Sequence, residues 1–157
     1  MGKDAESISR HSSLALIVDV RELVSRLEAL TLSKDEFHHR QHLEVAFWYL
    51  QSKGSKAGTG AIARAIEAFT SHLGHASKFH TTITLCWIRL VAAGMAEAGS
   101  CTTPDELISR HPALLDKRLP LRFYSKDVLF SEKARREWVE PDIESLPRVV
   151  TRSRRLQ

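Results

Sequence analysis

The chain has 157 residues, 43% hydrophobic and 27% charged, with few glycines and prolines. That is the length and balance of one soluble globular domain able to bury a sizeable core without staples. Its formal charge of +4 is the charge of Arg148, Arg152, Arg154 and Arg155, so residues 1–147 sum to zero and the pI of 9.3 reflects a tail. With no accompanying motif, nucleic acid is not an expected partner.

The opening "MGKDAESISRHSS" is polar and reads as a disordered lead-in over residues 1–13. The run "SLALIVDV" is too short and too soon charged to span a membrane, and Glu6 breaks the myristoylation pattern. Residues 14–30 then place Leu16, Val20, Leu23, Val24, Leu27 and Leu30 on one helical face, with Asp19, Glu22 and Arg26 off it.

Ser33 and Glu36 form a capping box that predicts a second helix from there to about Gln51. "SKGSKAGTG" reads as a flexible connection. A third helix is predicted over 60–73, with Ile62, Ile66, Phe69 and Leu73 on one face and Gly74 as its stop. A fourth covers 78–98 and ends at Gly99.

Thr103, Pro104 and Glu106 begin a short helix to about 110. "HPALLDKRLP" reads as turns. Ser131 caps a last helix, "EKARREWVE", closed by Pro141. No stretch alternates convincingly at period 2. The expectation is an all-α chain: one helical domain over 1–147, built as a bundle of four main helices plus short C-terminal ones, and a basic tail over 148–157.

Cys86 falls in an apolar helical run and Cys101 after Gly99-Ser100. Without a CxxC spacing, zinc-ribbon and thioredoxin chemistry are excluded. Two unpatterned cysteines fit a reducing cytoplasm.

The residues that ask for a function lie in "DEFHHRQHLEVAFWYL". At about 100° per residue, His39 falls within the arc of Leu43, Ala46 and Leu50, and His42 at its edge beside Tyr49. His38 falls at the boundary. On the fourth helix His80 lies in the arc of Phe79, Ile83, Trp87, Leu90 and Val91, with Thr84 one turn away. His11, His72, His75 and His111 fall at edges, turns or the polar N-terminus.

Three inward imidazoles on two helices suit a divalent transition metal (zinc, iron, nickel or copper), and an open fourth position would make such a site catalytic. The familiar spacings, HExxH and Glu-x-x-His, are absent. Three readings stay open for His39, His42 and His80: metal ligands, metal-free acid–base groups, or core side chains bonded to partners such as Thr84 or Tyr49. The stretch 119–142 adds Tyr124, Ser125, Arg135, Trp138, Glu140 and Asp142. It reads either as a flap bringing Tyr124 and Arg135 to a substrate, or as a strap with Arg135 pinned to Glu132, Asp142 or a backbone carbonyl.

Phe37-x-His39-x-x-His42-Leu43, His80-x-x-x-Thr84, Tyr124-Ser125, Ala134-Arg135 and Pro141-Asp142 together resemble a family of small all-helical bacterial proteins, over about residues 27–147. The resemblance implies that His39, His42 and His80 belong together, that His38 is incidental, and that the Tyr-Ser and Ala-Arg elements are part of one design. It supplies no reaction. Members carry an acidic residue after the third histidine, where this chain has Thr81.

The expected function is a small-molecule enzyme, metal-dependent or histidine-dependent. The alternative is a non-catalytic ligand-binding or protein-interaction module with structural histidines. The expected partner is a small-molecule ligand or substrate, a homodimer is plausible on symmetry grounds, and no membrane is expected.

Overall fold

The computed structural model describes residues 20–149. Within them all regular structure is helical, and no strand occurs. The helices are α1 (20–28), α2 (His39–Lys53), α3 (Ser55–His72), α4 (Thr81–Ala98), α5 (Pro104–Arg110), α6 (Lys126–Leu129) and α7 (Glu132–Arg136), joined by 3₁₀ turns.

The first predicted helix lies partly outside the described residues. Its described part buries Leu23, Val24 and Leu27. It ends where Leu30 turns left-handed (φ 59°) and the Thr31 amide reaches back to the Arg26 carbonyl at 3.0 Å.

The second helix starts later than its capping box suggests. Ser33 and Glu36 do form that box, but it closes a single 3₁₀ turn, Lys34–Glu36. Phe37 then leaves helical geometry, His38 is extended, and α2 begins at His39. A second box closes there: the His38 amide donates to Gln41 Oε1 at 3.0 Å. The histidine cluster therefore sits at a helix start.

α2 buries Leu43, Val45, Ala46, Phe47, Tyr49 and Leu50, which lie nearly all around its circumference. It is the central helix, packed by α3, α4 and α5.

The expected flexible connection over 52–60 is helical from Ser55. One residue, Gly54 (φ 81°, ψ 174°), separates α2 from α3. Gly58 explains why this glycine- and serine-rich stretch is helical. A Cβ there would lie 2.8 Å from the Tyr49 carbonyl oxygen and 3.1 Å from Leu50 Cα. The close approach lets α3 run back along α2, and packing outweighs poor helix propensity. Ile62 and Phe69 are buried as the periodicity predicts, and the chain stops at Gly74 and Gly99, both at positive φ.

The fourth helix begins three residues later than predicted, because His80 is its N-cap. Thr103 caps α5, with the Glu106 amide donating to its hydroxyl at 3.2 Å. The "HPALLDKRLP" region contains the 3₁₀ turns Pro112–Leu115 and Leu119–Arg122. The last predicted helix is shorter than expected: Ser131 caps it, but it ends at Arg136.

Buried residues from α1 to Leu146 form a single hydrophobic cluster. Cys86 is inside it, and burial pushes its thiol up to about 12. Both cysteines are free. None of the described helices is long and apolar enough to cross a membrane. The expected disordered lead-in and most of the arginine tail lie outside the described residues.

Candidate functional site

Between the start of α2, the middle of α3 and the first half of α4 lies a cavity of about 520 Å³. That is within the ~300–1,000 Å³ typical of small-molecule sites. His39 and His42 line it from α2 and His80 from the α4 cap, so the three predicted histidines share one cavity with Thr84. Its walls are otherwise mostly apolar, from Phe37, Leu43 and Ala46 through Ile62 and Ile66 to Phe79, Ile83 and Trp87.

The three imidazoles are not equivalent. His80 uses both ring nitrogens. The Ile83 amide donates to Nδ1 at 3.1 Å, and Nε2 bonds the Leu129 carbonyl at 2.7 Å. An amide N–H only donates and a carbonyl only accepts, so His80 is the neutral Nε2–H tautomer. Burial, and after it the nearby Arg135 charge, hold its pKa below the usual histidine value against the pull of the Leu129 carbonyl. The ring serves as an N-cap for α4 and ties that helix to the end of α6.

His39 bonds the Leu114 carbonyl through Nε2 at 2.8 Å and lies edge-on against Trp87, ring centroids 4.4 Å apart. It fastens α2 to the 3₁₀ turn Pro112–Leu115. Nε2 donates that bond, and Nδ1 has no hydrogen-bond partner among the described residues.

His42 donates from Nδ1 to the His38 carbonyl at 2.8 Å, one turn back on its own helix, and its ring lies 4.0 Å from that of Phe37. Nε2 has no partner among the described residues. No buried side-chain nitrogen or oxygen is left without a hydrogen bond there, so Nε2 is open to solvent or ligand. Burial of the ring is the largest influence on its pKa and holds it below the ordinary value. The charges of His39 and His38 act in the same direction, and the His38 carbonyl opposes them. At neutral pH, His42 therefore offers an unprotonated Nε2.

His38 is exposed and also lines the cavity, and its backbone bonds through the amide to Gln41 and the carbonyl to His42. Among the described residues, no group of three or more His, Cys, Asp or Glu side chains is arranged to hold a metal ion. Both His80 nitrogens are engaged, whereas His39 Nδ1 and His42 Nε2 have no hydrogen-bond partner among the described residues.

The other predicted site residues divide. Thr84 lines the cavity. Tyr49 faces the other side of α2 and donates to Glu28 on α1. Tyr124 is fully buried, and its hydroxyl donates to the Val139 carbonyl at 2.7 Å. Arg135 donates from Nη1 to the Ser77 carbonyl at 2.8 Å and lies 4.0 Å from Glu132. None of these three lines the cavity.

Their region forms a strap across α4. Thr82 donates to the Glu137 carbonyl at 2.7 Å and accepts from the Val139 amide at 3.2 Å. Asp142 accepts from the Ser125 amide at 2.8 Å, and Trp138 stacks under Arg89. Of the two readings of residues 119–142, these bonds are those of the strap.

Lys78 and Lys117 also line the cavity. Nothing local marked them, since each is a loop lysine whose relation to the histidines depends on how α4 and the 112–118 turns pack. Thr70 was visible in principle, four residues beyond Ile66 on the same α3 face.

The chain matches no family model, no curated protein and no solved structure.

Proposed function

We propose that this is a single helical domain, its four longer helices bundled with a cavity between α2, α3 and α4, which binds a small, mostly apolar molecule and uses His42 as hydrogen-bond acceptor and general base. The observation that carries this reading is the orientation of His42: Nδ1–H held by the His38 carbonyl at 2.8 Å, and Nε2 without a partner among the described residues on the cavity side of α2. A base needs a fixed tautomer, an open lone pair and a pKa below the working pH to be unprotonated, and His42 combines all three. On a bound molecule with an acidic O–H, N–H or C–H, the proton passes to Nε2. The resulting imidazolium keeps its Nδ1–H on the same carbonyl, and the ligand keeps the electron pair.

In this reading His39 and His80 are positioning residues. His39 fixes the cavity wall against the 112–115 turn, and His80 fixes the start of α4. The single hydrophobic cluster supports the one-domain part of the proposal.

The test is a fragment screen by ligand-observed NMR on the parent and on His42→Phe, with elemental analysis of both proteins purified without an affinity tag. His42→Phe keeps an aromatic ring against Phe37 and removes the acceptor. The expected result is a set of fragments that bind the metal-free parent and lose affinity in the variant. Near-stoichiometric transition metal in the parent, lost in His39→Ala and His42→Ala, would replace this reading with a metal site on His39 Nδ1 and His42 Nε2.

A further inference from the structure

The charge of the cavity lining defines the ligand more narrowly, on the premise that the cavity is a binding site. Besides the histidines, the charged groups that line it are Lys78 and Lys117, and no carboxylate lines it. Lys78 ends the 3₁₀ turn Ala76–Lys78 just before the His80 cap, and Lys117 follows the Pro112–Leu115 turn that His39 holds. The two ammonium groups therefore reach the cavity from different connections.

Neither lysine has a carboxylate partner among the described residues, although eight ion pairs occur there. Asp116 and Arg118, on either side of Lys117, pair with each other at 3.9 Å. Both lysines are exposed, so their stems can follow a ligand while the charged ends stay hydrated. Below them the walls are aromatic and branched aliphatic: Phe37, Phe79, Trp87, Ile62, Ile66 and Ile83.

We infer that the ligand is an amphipathic organic acid: an aromatic or aliphatic body packed between Phe37, Ile66 and Trp87, and a carboxylate at the mouth between Lys78 and Lys117. An apolar body suits an apolar wall, and the site has two unpaired cations and no competing anion to repel a carboxylate. A cationic ligand group at the mouth would be repelled by both lysines.

The test is isothermal titration of the full chain with indole-3-acetate and decanoate, each against its primary amide, which keeps the body and removes the charge. The acids are expected to bind about tenfold more tightly than the amides, the scale of two exposed ion pairs. That advantage should shrink at 0.5 M salt and vanish in Lys78→Met/Lys117→Met, whose exposed positions keep the variant folded.

Equal affinity of acid and amide, or an acid preference that survives the double substitution, overturns the inference and leaves the cavity reading standing. Ile66→Trp, which fills the cavity, separates the two ideas. If the acids still bind this variant as they bind the parent, or if neither acids nor amides bind the parent, the cavity is not the site and both ideas fall.

Discussion

Replacing His80 with alanine is expected to destabilise the fold by roughly 3–5 kcal/mol, more than the loss of a surface-lining ligand residue would. Three contributions add. The α4 N-cap is lost when the Ile83 amide loses its acceptor at 3.1 Å, at about 1 kcal/mol. The Leu129 carbonyl loses a donor at 2.7 Å, which costs about 1–3 kcal/mol where the orphaned group stays buried. The ring, 9% exposed, leaves a partial cavity worth about another 1 kcal/mol. Urea unfolding followed by far-ultraviolet circular dichroism reads the change as a lower midpoint at unchanged slope. His80→Asn isolates the cap, because its short side-chain oxygen can accept from the third helical amide but cannot reach Leu129. It should recover about 1 kcal/mol.

The pH dependence follows with a definite sign. Burial depresses the His80 and His42 pKa values below 6.5 in the folded protein, so the unfolded chain binds protons first. Their contribution is complete above about pH 6.5 and is lost as pH falls through the folded values. His80→Asn should flatten that acid limb, and His42→Phe should flatten the remainder. A His80→Ala variant within 0.5 kcal/mol of the parent, with an unchanged acid limb, would refute the assignment of both ring nitrogens to structural bonds.

Three further outcomes are expected. Thr82→Val, close to isosteric, leaves the Glu137 carbonyl and Val139 amide without their side-chain partner, and should cost about 2–4 kcal/mol in the same unfolding assay. Gly58→Ala should destabilise by about 1–3 kcal/mol despite alanine's better helix propensity, since its Cβ meets backbone at 2.8 Å. A stabilised variant would show that α2 and α3 do not approach so closely. Long-range ¹H–¹⁵N NMR of labelled histidine should show His42 as the Nδ1–H tautomer, titrating below 6.5. A dominant Nε2–H form at neutral pH would remove the proposed base.

The helical class, the stops at Gly74 and Gly99, the Thr103 and Ser131 caps and the inward side of His39 and His42 could all be read along the chain. They rest on interactions within one or two turns, which sequence spacing encodes directly. Two places misled for the same local reason. Ser33-x-x-Glu36 and His38-x-x-Gln41 are tandem boxes, and only the packing of Phe37 against Phe69 and His42 shows that the chain breaks between them. "SKGSKAGTG" has the composition of a loop, yet close contact with α2 makes it helix.

The roles of the histidines were decided at longer range. His80 and His39 look alike on a helical wheel. Carbonyls 49 and 75 residues away accept from their Nε2–H groups, and the Ile83 amide three residues on also takes the Nδ1 lone pair of His80, whereas His39 Nδ1 has no such partner. His42 differs because its partner, the His38 carbonyl, is four residues back and leaves the far nitrogen open. Lys78 and Lys117 are brought to the same cavity only when α4 and the turn after α5 pack against α2. Sequence alone determined the helical class, several caps and stops and which helix faces turn inward, because those are near-neighbour properties. Tertiary structure decided which distant segments the His39 and His80 rings fasten and which side chains share the cavity, because those depend on packing between residues far apart in the chain.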